Sequence, residues 1–161
     1  MLDETLVPIP NRFNSSCFAC SSKNPVGLKM TFMAGKDSVV SEVQVPEHLC
    51  GWNNLVHGGV LTTILDEIMS WSAMHFLKKL VMTKSINITF IKSVMVGDSI
   101  KAVGRVLRQE HRHEAQMEGI LLDKNGKECV KAEAVFAILP PKIANRLGIS
   151  KEEYPDWFDM D

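Results

Sequence analysis

The feature that most constrains the fold is a run of apolar residues from Val60 to Leu77, spread around nearly the whole circumference of a helix. A surface helix carries its apolar residues on one stripe, whereas a helix that is apolar all round has to be buried. His57-Gly58-Gly59 precedes the run, and Lys78-Lys79 follows it, where cations suit the negative end of the helix dipole. The sequence therefore predicts one long central helix that ends near Lys79 and is enclosed by the rest of the chain.

Segments on both sides of this helix alternate between apolar and polar residues, as strands with one buried face do. The strand candidates are residues 28–33, 39–45, 82–91, 99–107, 113–122 and 128–139. Asn125-Gly126 marks a hairpin turn, and short turns join the strands after the helix, which favours antiparallel pairing. In 82–91 strict alternation places Thr83 on the face opposite to Ile86. The order predicts an α+β fold in which one antiparallel sheet wraps around the helix.

The whole chain fits a single domain, because 161 residues are enough to bury a core of their own. Residues 1–27 form an aperiodic N-terminal lead-in, and residues 140–161 form a C-terminal tail with room for one or two short helices. Eighteen Lys and Arg against nineteen Asp and Glu give a net charge of -1, which argues against nucleic-acid binding and polybasic membrane attachment. The uncovered face of such a sheet favours a homo-oligomer.

The N-terminus has no secretory signal and no stretch long enough to span a bilayer, so we expect a cytoplasmic protein with free thiols. Cys17-x-x-Cys20 invites a zinc or a redox interpretation. A structural zinc site usually has two close ligand pairs, and there is no second CxxC; a redox CxxC begins a helix, and Ser21 to Pro25 predicts a turn. We therefore expect no metal and a buried cysteine pair that anchors the lead-in.

Asp66 lies two turns into the apolar helix, where an unpaired carboxylate is costly to bury. Thr62, Asp66, Ser70 and Ala73 form a narrow stripe of small and polar residues, which suits a cleft better than a core. The alternative is that Asp66 and Glu67 both face solvent. Adjacent helical positions lie about 100° apart, so this alternative explains Glu67 more easily than Asp66.

The helix N-terminus is a second candidate feature. Gly58-Gly59 leaves backbone N–H groups unshielded at the positive end of the helix, an arrangement that stabilises an oxyanion. His57 is placed to orient a carbonyl group or to cap the loop. An ordinary helix start after a loop would show the same two glycines, so this feature alone does not indicate a function.

Val56-His57-Gly58-Gly59-Val60, with Asp66 nine residues after the histidine, resembles the signature of hotdog-fold acyl-CoA thioesterases of the phenylacetic-acid-degradation (PaaI-type) group. Two further segments match elements of that group, and the resemblance covers about residues 17–139. They are Cys17-Phe18-Ala19-Cys20 with Asn24-Pro25-x-Gly27-Leu28, and Asn87-Ile88-Thr89-Phe90. The family fold is the one inferred above, a long helix wrapped by an antiparallel sheet.

The resemblance implies a role for each matching residue. Asp66 is the general base or nucleophile, and the Gly58 N–H polarises the thioester carbonyl. His57 orients the thioester or the leaving group, and Thr83 helps to bind the attacking water. Gly59, Thr62 and Ser70 line the same cleft. In the family the site lies between two subunits, one giving the helix N-terminus and the other the acid, and it needs no metal or organic cofactor.

The chain departs from the family pattern in the loop before His57, where Gly51 stands in place of a common Asn or Gln. Asn54 replaces a common glycine, and the amides of Asn53 and Asn54 are candidates to hold the water or the carbonyl. Basic residues that are candidates to meet the phosphates of CoA, without an assignment among them, are Lys84, Lys92, Arg105, Arg108 and Arg112.

These observations predict hydrolysis of an acyl-CoA thioester to a free acid and CoA, by a homodimer or a dimer of dimers. Two alternatives stay open. One is a hotdog-fold enoyl-CoA hydratase or dehydratase, whose histidine and acid lie in a different motif. The other is an acyl-CoA-binding module without catalysis.

Overall fold

The computed structural model describes residues 5–11 and 15–152, except for the side chain of Glu110. Its helices and strands are β1 (Val7–Ile9), β2 (Phe32–Ala34), β3 (Val39–Gln44), α1 (Gly58–Leu77), β4 (Val81–Phe90), β5 (Ser99–His111), β6 (Glu114–Leu122), β7 (Glu128–Ile138) and α2 (Pro141–Arg146). The strands form one antiparallel sheet in the order β1-β2-β3-β5-β6-β7-β4. The predicted α+β hotdog fold, with one long helix against an antiparallel sheet, is confirmed.

The central helix is enclosed as its composition predicts. No residue from Val60 to Leu77 is exposed, and nine side chains of α1 are buried. Trp71 is buried almost completely and stacks on Phe32 of β2, with ring centroids 4.3 Å apart. The helix ends at Lys78, which adopts a left-handed conformation with φ of 55°. The position and rotation of α1 are therefore fixed by core packing along most of its length.

Two glycines let the helix approach the sheet closely. Gly104 of β5 and Gly119 of β6 are register partners beneath α1. A Cβ atom at position 104 would lie 2.6 Å from the carbonyl oxygen of Ile68 and 2.5 Å from Oγ of Ser72. At position 119 it would lie 3.0 Å from side-chain atoms of Leu65 and Met69. The helix backbone thus rests on this glycine pair, which no periodicity in the sequence marks.

Two strand predictions at the N-terminal side are wrong in detail. The predicted strand 28–33 is replaced by β2 at Phe32–Ala34, because Leu28 and Met30 hydrogen-bond to the lead-in instead of to a strand. Their N–H groups donate to the carbonyls of Phe18 at 2.7 Å and Ala19 at 2.9 Å. Within the lead-in, β1 was not predicted, because a three-residue edge strand has no alternation to detect.

The later strands follow the predictions closely, apart from β5, which extends four residues further than expected to His111. In β4 the expected strict alternation is wrong, because the pairing with β7 shifts register between Thr83 and Ser85. This bulge turns Thr83 to the same side as Ile86 and Ile88, all three being half-buried. Bulges are a common means of re-aiming a side chain beside an active site.

The C-terminal tail contains the short helix α2, and the predicted tail beyond Glu152 lies outside the described residues, as do residues 1–4 and 12–14 of the lead-in. Among the helices of the described ranges, none is both long and apolar enough to cross a membrane.

Candidate active site

The structure brings Asp66 and Thr83 together. The Thr83 hydroxyl on β4 donates a hydrogen bond of 2.6 Å to Oδ1 of Asp66 on α1. Both residues are half-buried. A hydroxyl bond to one carboxylate oxygen fixes the orientation of the group and leaves the second oxygen for another partner. The structure therefore supports a partly covered, oriented carboxylate at position 66, and the alternative that Asp66 simply faces solvent is wrong.

The helix N-terminus is capped by His57. The Gly59 N–H donates to Nδ1 of His57 at 2.9 Å, and the N–H groups of Val60 and Leu61 donate to the His57 carbonyl. Since Nδ1 accepts this bond, the neutral imidazole carries its proton on Nε2, which is then available as a donor. Among the described residues the Gly58 N–H has no acceptor, so it is the free donor at the positive end of the helix.

The small-and-polar stripe of α1 is shorter than its spacing suggests. Thr62 and Ser70 are half-buried, one turn before and one turn after Asp66, whereas Ala73 is fully buried in the core. The Thr62 hydroxyl donates to the Gly58 carbonyl at 2.9 Å. Thr62 thus stabilises the first turn of the helix, and Ser70 remains a candidate substrate contact.

The loop before the helix is exposed and partly strained. Asn53 has a φ of 49° in the left-handed region, and the side chains of both Asn53 and Asn54 are exposed. Trp52 between this pair and Gly51 is 86% exposed. Gly51 packs against the histidine, since a Cβ at that position would lie 3.3 Å from Cα of His57. The described contacts do not link either asparagine to Asp66, so their binding role stays a prediction.

Four of the basic candidates for CoA contacts already have partners. Lys84 pairs with Glu114, and Lys92 pairs with Asp123 at 2.6 Å. Nε of Arg108 donates to Gln116 at 2.8 Å. Nε of Arg112 donates to Nε2 of His113 at 3.1 Å. Arg105 is exposed, and exposure alone does not single it out for the phosphates.

Glu67 does not face solvent, as the alternative interpretation of the two acids had it. It is half-buried instead of exposed, and its Oε1 accepts a 3.0 Å hydrogen bond from the indole N–H of Trp71. Its carboxylate and the thiols of Cys17 and Cys20 form a cluster in which all ligand atoms lie within 4.8 Å of one another. Burial raises the pKa of Glu67. A signal for this contact was available only in the i to i+4 spacing of Glu67 and Trp71.

The two thiols in this cluster differ. The Cys20 side chain hydrogen-bonds to Cys17, which lowers the pKa of Cys17 to about 5, helped by the backbone N–H groups of residues 19–21. The same bond and burial raise the pKa of Cys20. Cys20 is buried and Cys17 is half-buried. The cysteine pair that was expected to anchor the lead-in therefore lies next to the central helix as well.

Gly58 and Asp66 cannot act together within one chain. They are eight residues apart on one straight helix, which corresponds to about 12 Å along its axis. A donor to a carbonyl oxygen and a base or nucleophile acting at the same carbonyl each have to come within about 3 Å of the reacting atoms. Within one copy, the Gly58 N–H and the Asp66 carboxylate are therefore too far apart to contact the same carbonyl group.

The chain is similar to proteins of a known family. Residues 53–130, which span the helix and most of the sheet, match the model of the Thioesterase superfamily. An uncharacterised protein of Schizosaccharomyces pombe is 33% identical over 115 residues, which are 68% of this chain and 64% of that protein. The chain thus spans slightly less than two thirds of the length of this relative.

Solved structures share the fold. PaaI of E. coli, from the phenylacetic acid degradation operon, has a TM-score of 0.64 and 15% identity, over 70% of this chain and 80% of that one. A hypothetical thioesterase of Streptococcus pneumoniae, crystallised with coenzyme A, has a TM-score of 0.60 and 21% identity, over 64% of this chain and 79% of that one. The predicted resemblance is confirmed: residues 53–130 match the Thioesterase superfamily, and the chain shares the hotdog fold of PaaI and other thioesterases.

Proposed function

We propose that the protein hydrolyses an acyl-CoA thioester to the free acid and CoA. The observation that carries the proposal is the Asp66 carboxylate, held on a buried helix by the 2.6 Å hydrogen bond from Thr83. A carboxylate that is oriented by a hydroxyl and partly covered is suited to act on water or on a carbonyl carbon. The match of residues 53–130 to the Thioesterase superfamily supports this reaction class.

Asp66 acts on the reacting carbon through the oxygen that Thr83 does not occupy. As a base it takes a proton from water, and the resulting hydroxide attacks the thioester carbon. As a nucleophile it attacks that carbon itself and forms an anhydride, which water then hydrolyses. In both routes the C–S bond breaks and the CoA thiolate leaves. In the base route the thiolate takes the proton that Asp66 removed from water, and in the nucleophilic route it takes a proton released when water hydrolyses the anhydride. Thr83 keeps the carboxylate aimed in either case.

The Gly58 N–H stabilises the negative charge that develops on the carbonyl oxygen. A fixed donor at a helix N-terminus is suited to this because it needs no reorganisation during the reaction, and such a donor is worth about 10²–10³ in rate. The Nε2 proton of His57 is available beside it for the carbonyl or for the leaving sulphur. Three residues close to Gly58 in the sequence are candidate contacts to the substrate: Asn53, Asn54 and Gly59.

The active site is completed by a second copy of the chain. Strand β4 is at the end of the sheet, and in the described part of the chain it pairs with β7 on one side only. Unpaired strand edges pair readily with another chain. Exposed apolar side chains follow this edge: Met82, Phe90 and Ile91. A two-fold pairing there makes the two α1 helices antiparallel, which brings the Gly58 end of one copy towards Asp66 of the other.

Coenzyme A is the proposed carrier of the acyl group. The support is the fold shared with the Streptococcus pneumoniae thioesterase that was crystallised with coenzyme A, together with the family resemblance of the HGG motif and its acid. The exposed Trp52 and Phe90 near the helix N-terminus offer apolar surface to an acyl chain.

The test is a panel of acyl-CoA thioesters with short, long and aromatic acyl groups, assayed for released CoA thiol by chromatography. We expect turnover of at least one class. Hydration of an enoyl-CoA without thiol release would instead indicate a hydratase. Tight binding across the panel without turnover would indicate a binding module.

The two-copy site is tested by complementation. Gly58 begins α1, and proline is well tolerated at the first helical position, where it removes only the N–H. His57 already has ψ of 132°, which suits a residue before proline. Gly58→Pro and Asp66→Asn should each be nearly inactive. When the two are co-expressed, mixed dimers carry one intact site, so about a quarter of wild-type activity should return; no recovery would place both groups in one chain.

A further inference from the structure

The cluster of Cys17, Cys20 and Glu67 lies outside the proposed hydrolytic site, on a different face of α1 from Asp66. The three side chains come from two segments, the lead-in turn and the central helix, yet their two sulphur atoms and a carboxylate oxygen lie within 4.8 Å of one another. Tetrahedral zinc, with Zn–S of about 2.3 Å and Zn–O of about 2.1 Å, requires separations of about 3.6–3.8 Å. The observed arrangement therefore needs adjustments of only about 1 Å.

The turn that carries the cysteines is fixed by its own hydrogen bonds. The Ser21 N–H donates to the Cys17 carbonyl at 3.0 Å, and the amide of Asn11 donates to the Cys20 carbonyl at 2.9 Å. At Gly27 a Cβ would lie 2.5 Å from the Phe18 carbonyl oxygen, so the returning chain packs closely against the turn. Both thiols are thus presented from a preorganised loop.

A hydrogen bond also fixes the orientation of the Glu67 carboxylate. The Trp71 indole N–H binds Oε1, and Trp71 itself is buried against Phe32. Hydrogen bonds of this kind orient carboxylate ligands in metal sites. Among the described residues, Glu67 has no ion pair with Lys, Arg or His. Three acidic groups thus converge on one point, an arrangement whose negative charge a bound cation would neutralise.

We propose that Cys17, Cys20 and Glu67 bind one zinc ion, which ties the N-terminal lead-in to the central helix. Two thiolates at CxxC spacing with one carboxylate are a ligand set that zinc accepts. Solvent water takes the fourth position on the side of Cys17, which is half-buried. The ion is structural, and the proposal does not depend on the hydrolytic function.

The test uses the full chain, purified with a phosphine reductant and stripped with a chelator. Wild-type protein should bind one zinc per chain against a competing chromophoric chelator, and cobalt should give a thiolate-to-metal charge-transfer band. Cys17→Ser and Cys20→Ser should lose stoichiometric binding. Glu67→Gln, which keeps the acceptor for Trp71, should weaken binding about 10–100-fold. Cys50→Ser, at an exposed free cysteine, is the matched control and should bind like wild type.

Zinc should also raise the melting temperature of wild type and of Cys50→Ser, because a ligand that binds only the folded state stabilises it. The proposal is overturned if fully reduced wild type takes up no stoichiometric zinc, a measurement that needs no variant. It is equally overturned if the metal binds but Cys17→Ser or Glu67→Gln leaves its affinity unchanged. Reversible formation of a Cys17–Cys20 disulfide in protein that never binds metal would identify a redox pair instead.

Discussion

Two neighbouring carboxylates of the central helix have different surroundings. Asp66 meets the hydroxyl of Thr83 at the edge strand of the sheet, whereas Glu67 meets two thiols and the indole of Trp71 beneath the N-terminal lead-in. The difference arises because adjacent helical positions point about 100° apart, and because packing fixes the rotation of α1. The possible role of each carboxylate on this helix is therefore determined by the side chains that the sheet and the loops pack against it.

The largest effect that separates the two acids is expected for Asp66→Asn. It keeps the size of the side chain but removes the base or nucleophile, so hydrolysis should fall at least about a hundredfold. Zinc-dependent stabilisation, which depends on Glu67, should persist in this variant. Steady-state turnover and thermal melts with and without zinc measure both. Asp37→Asn, at an exposed turn, is the control. Comparable turnover in Asp66→Asn and in this control would contradict the catalytic role of Asp66.

A smaller loss is expected for Thr83→Val, which keeps the shape of threonine and removes the 2.6 Å hydrogen bond to Asp66. Hydrogen bonds to charged groups contribute about 1.5–3 kcal/mol, so kcat should fall about tenfold or more. The matched control is Thr89→Val, at an exposed position of the same strand. If both variants keep wild-type kcat, the hydroxyl does not serve the reaction.

The rotation of α1, on which the comparison depends, is tested at the glycine pair beneath it. Gly104→Ala should lower the free energy of unfolding by about 1–3 kcal/mol, because its Cβ meets the Ile68 backbone at 2.6 Å. Gly119→Ala should have a smaller effect, since its Cβ meets the movable side chains of Leu65 and Met69. Urea unfolding measures both, and the reverse order would contradict this account of the helix contact.

The smallest effect concerns a third carboxylate, in a surface hairpin. Hydrogen bonds from Lys92 and from the N–H groups of Lys127 and Asn125 lower the pKa of Asp123 to about 2. A carboxyl whose pKa is lower in the folded state stabilises the fold above its ordinary pKa near 3.8 and loses this contribution as pH falls towards 2. Asp123→Asn should therefore be slightly less stable than wild type at pH 6, with the difference shrinking between pH 4 and pH 2 in urea titrations. A difference that grows in acid would refute this origin.

The sequence was sufficient for the fold and for part of the candidate site. An all-round apolar run can only be a buried helix, and alternating segments with short turns can only pair around it, so local patterns determined α1 and the strands from β3 onwards. Asp66 was recognisable because an unpaired carboxylate is costly to bury inside an apolar helix. Gly58 was recognisable because the His57-Gly58-Gly59 motif comes directly before the apolar run.

Other features were decided only by the tertiary structure. Strict alternation placed Thr83 on the face opposite to Ile86, and only the resemblance gave it a place in the site; in the structure, a bulge that depends on the pairing with β7 puts it on the side of Ile86. Glu67 reaches Cys17 and Cys20 across about fifty residues of chain, a contact that no spacing along the sequence encodes. Periodicity reports which residues of one segment share a face, whereas which face meets which partner is set by the packing of distant segments.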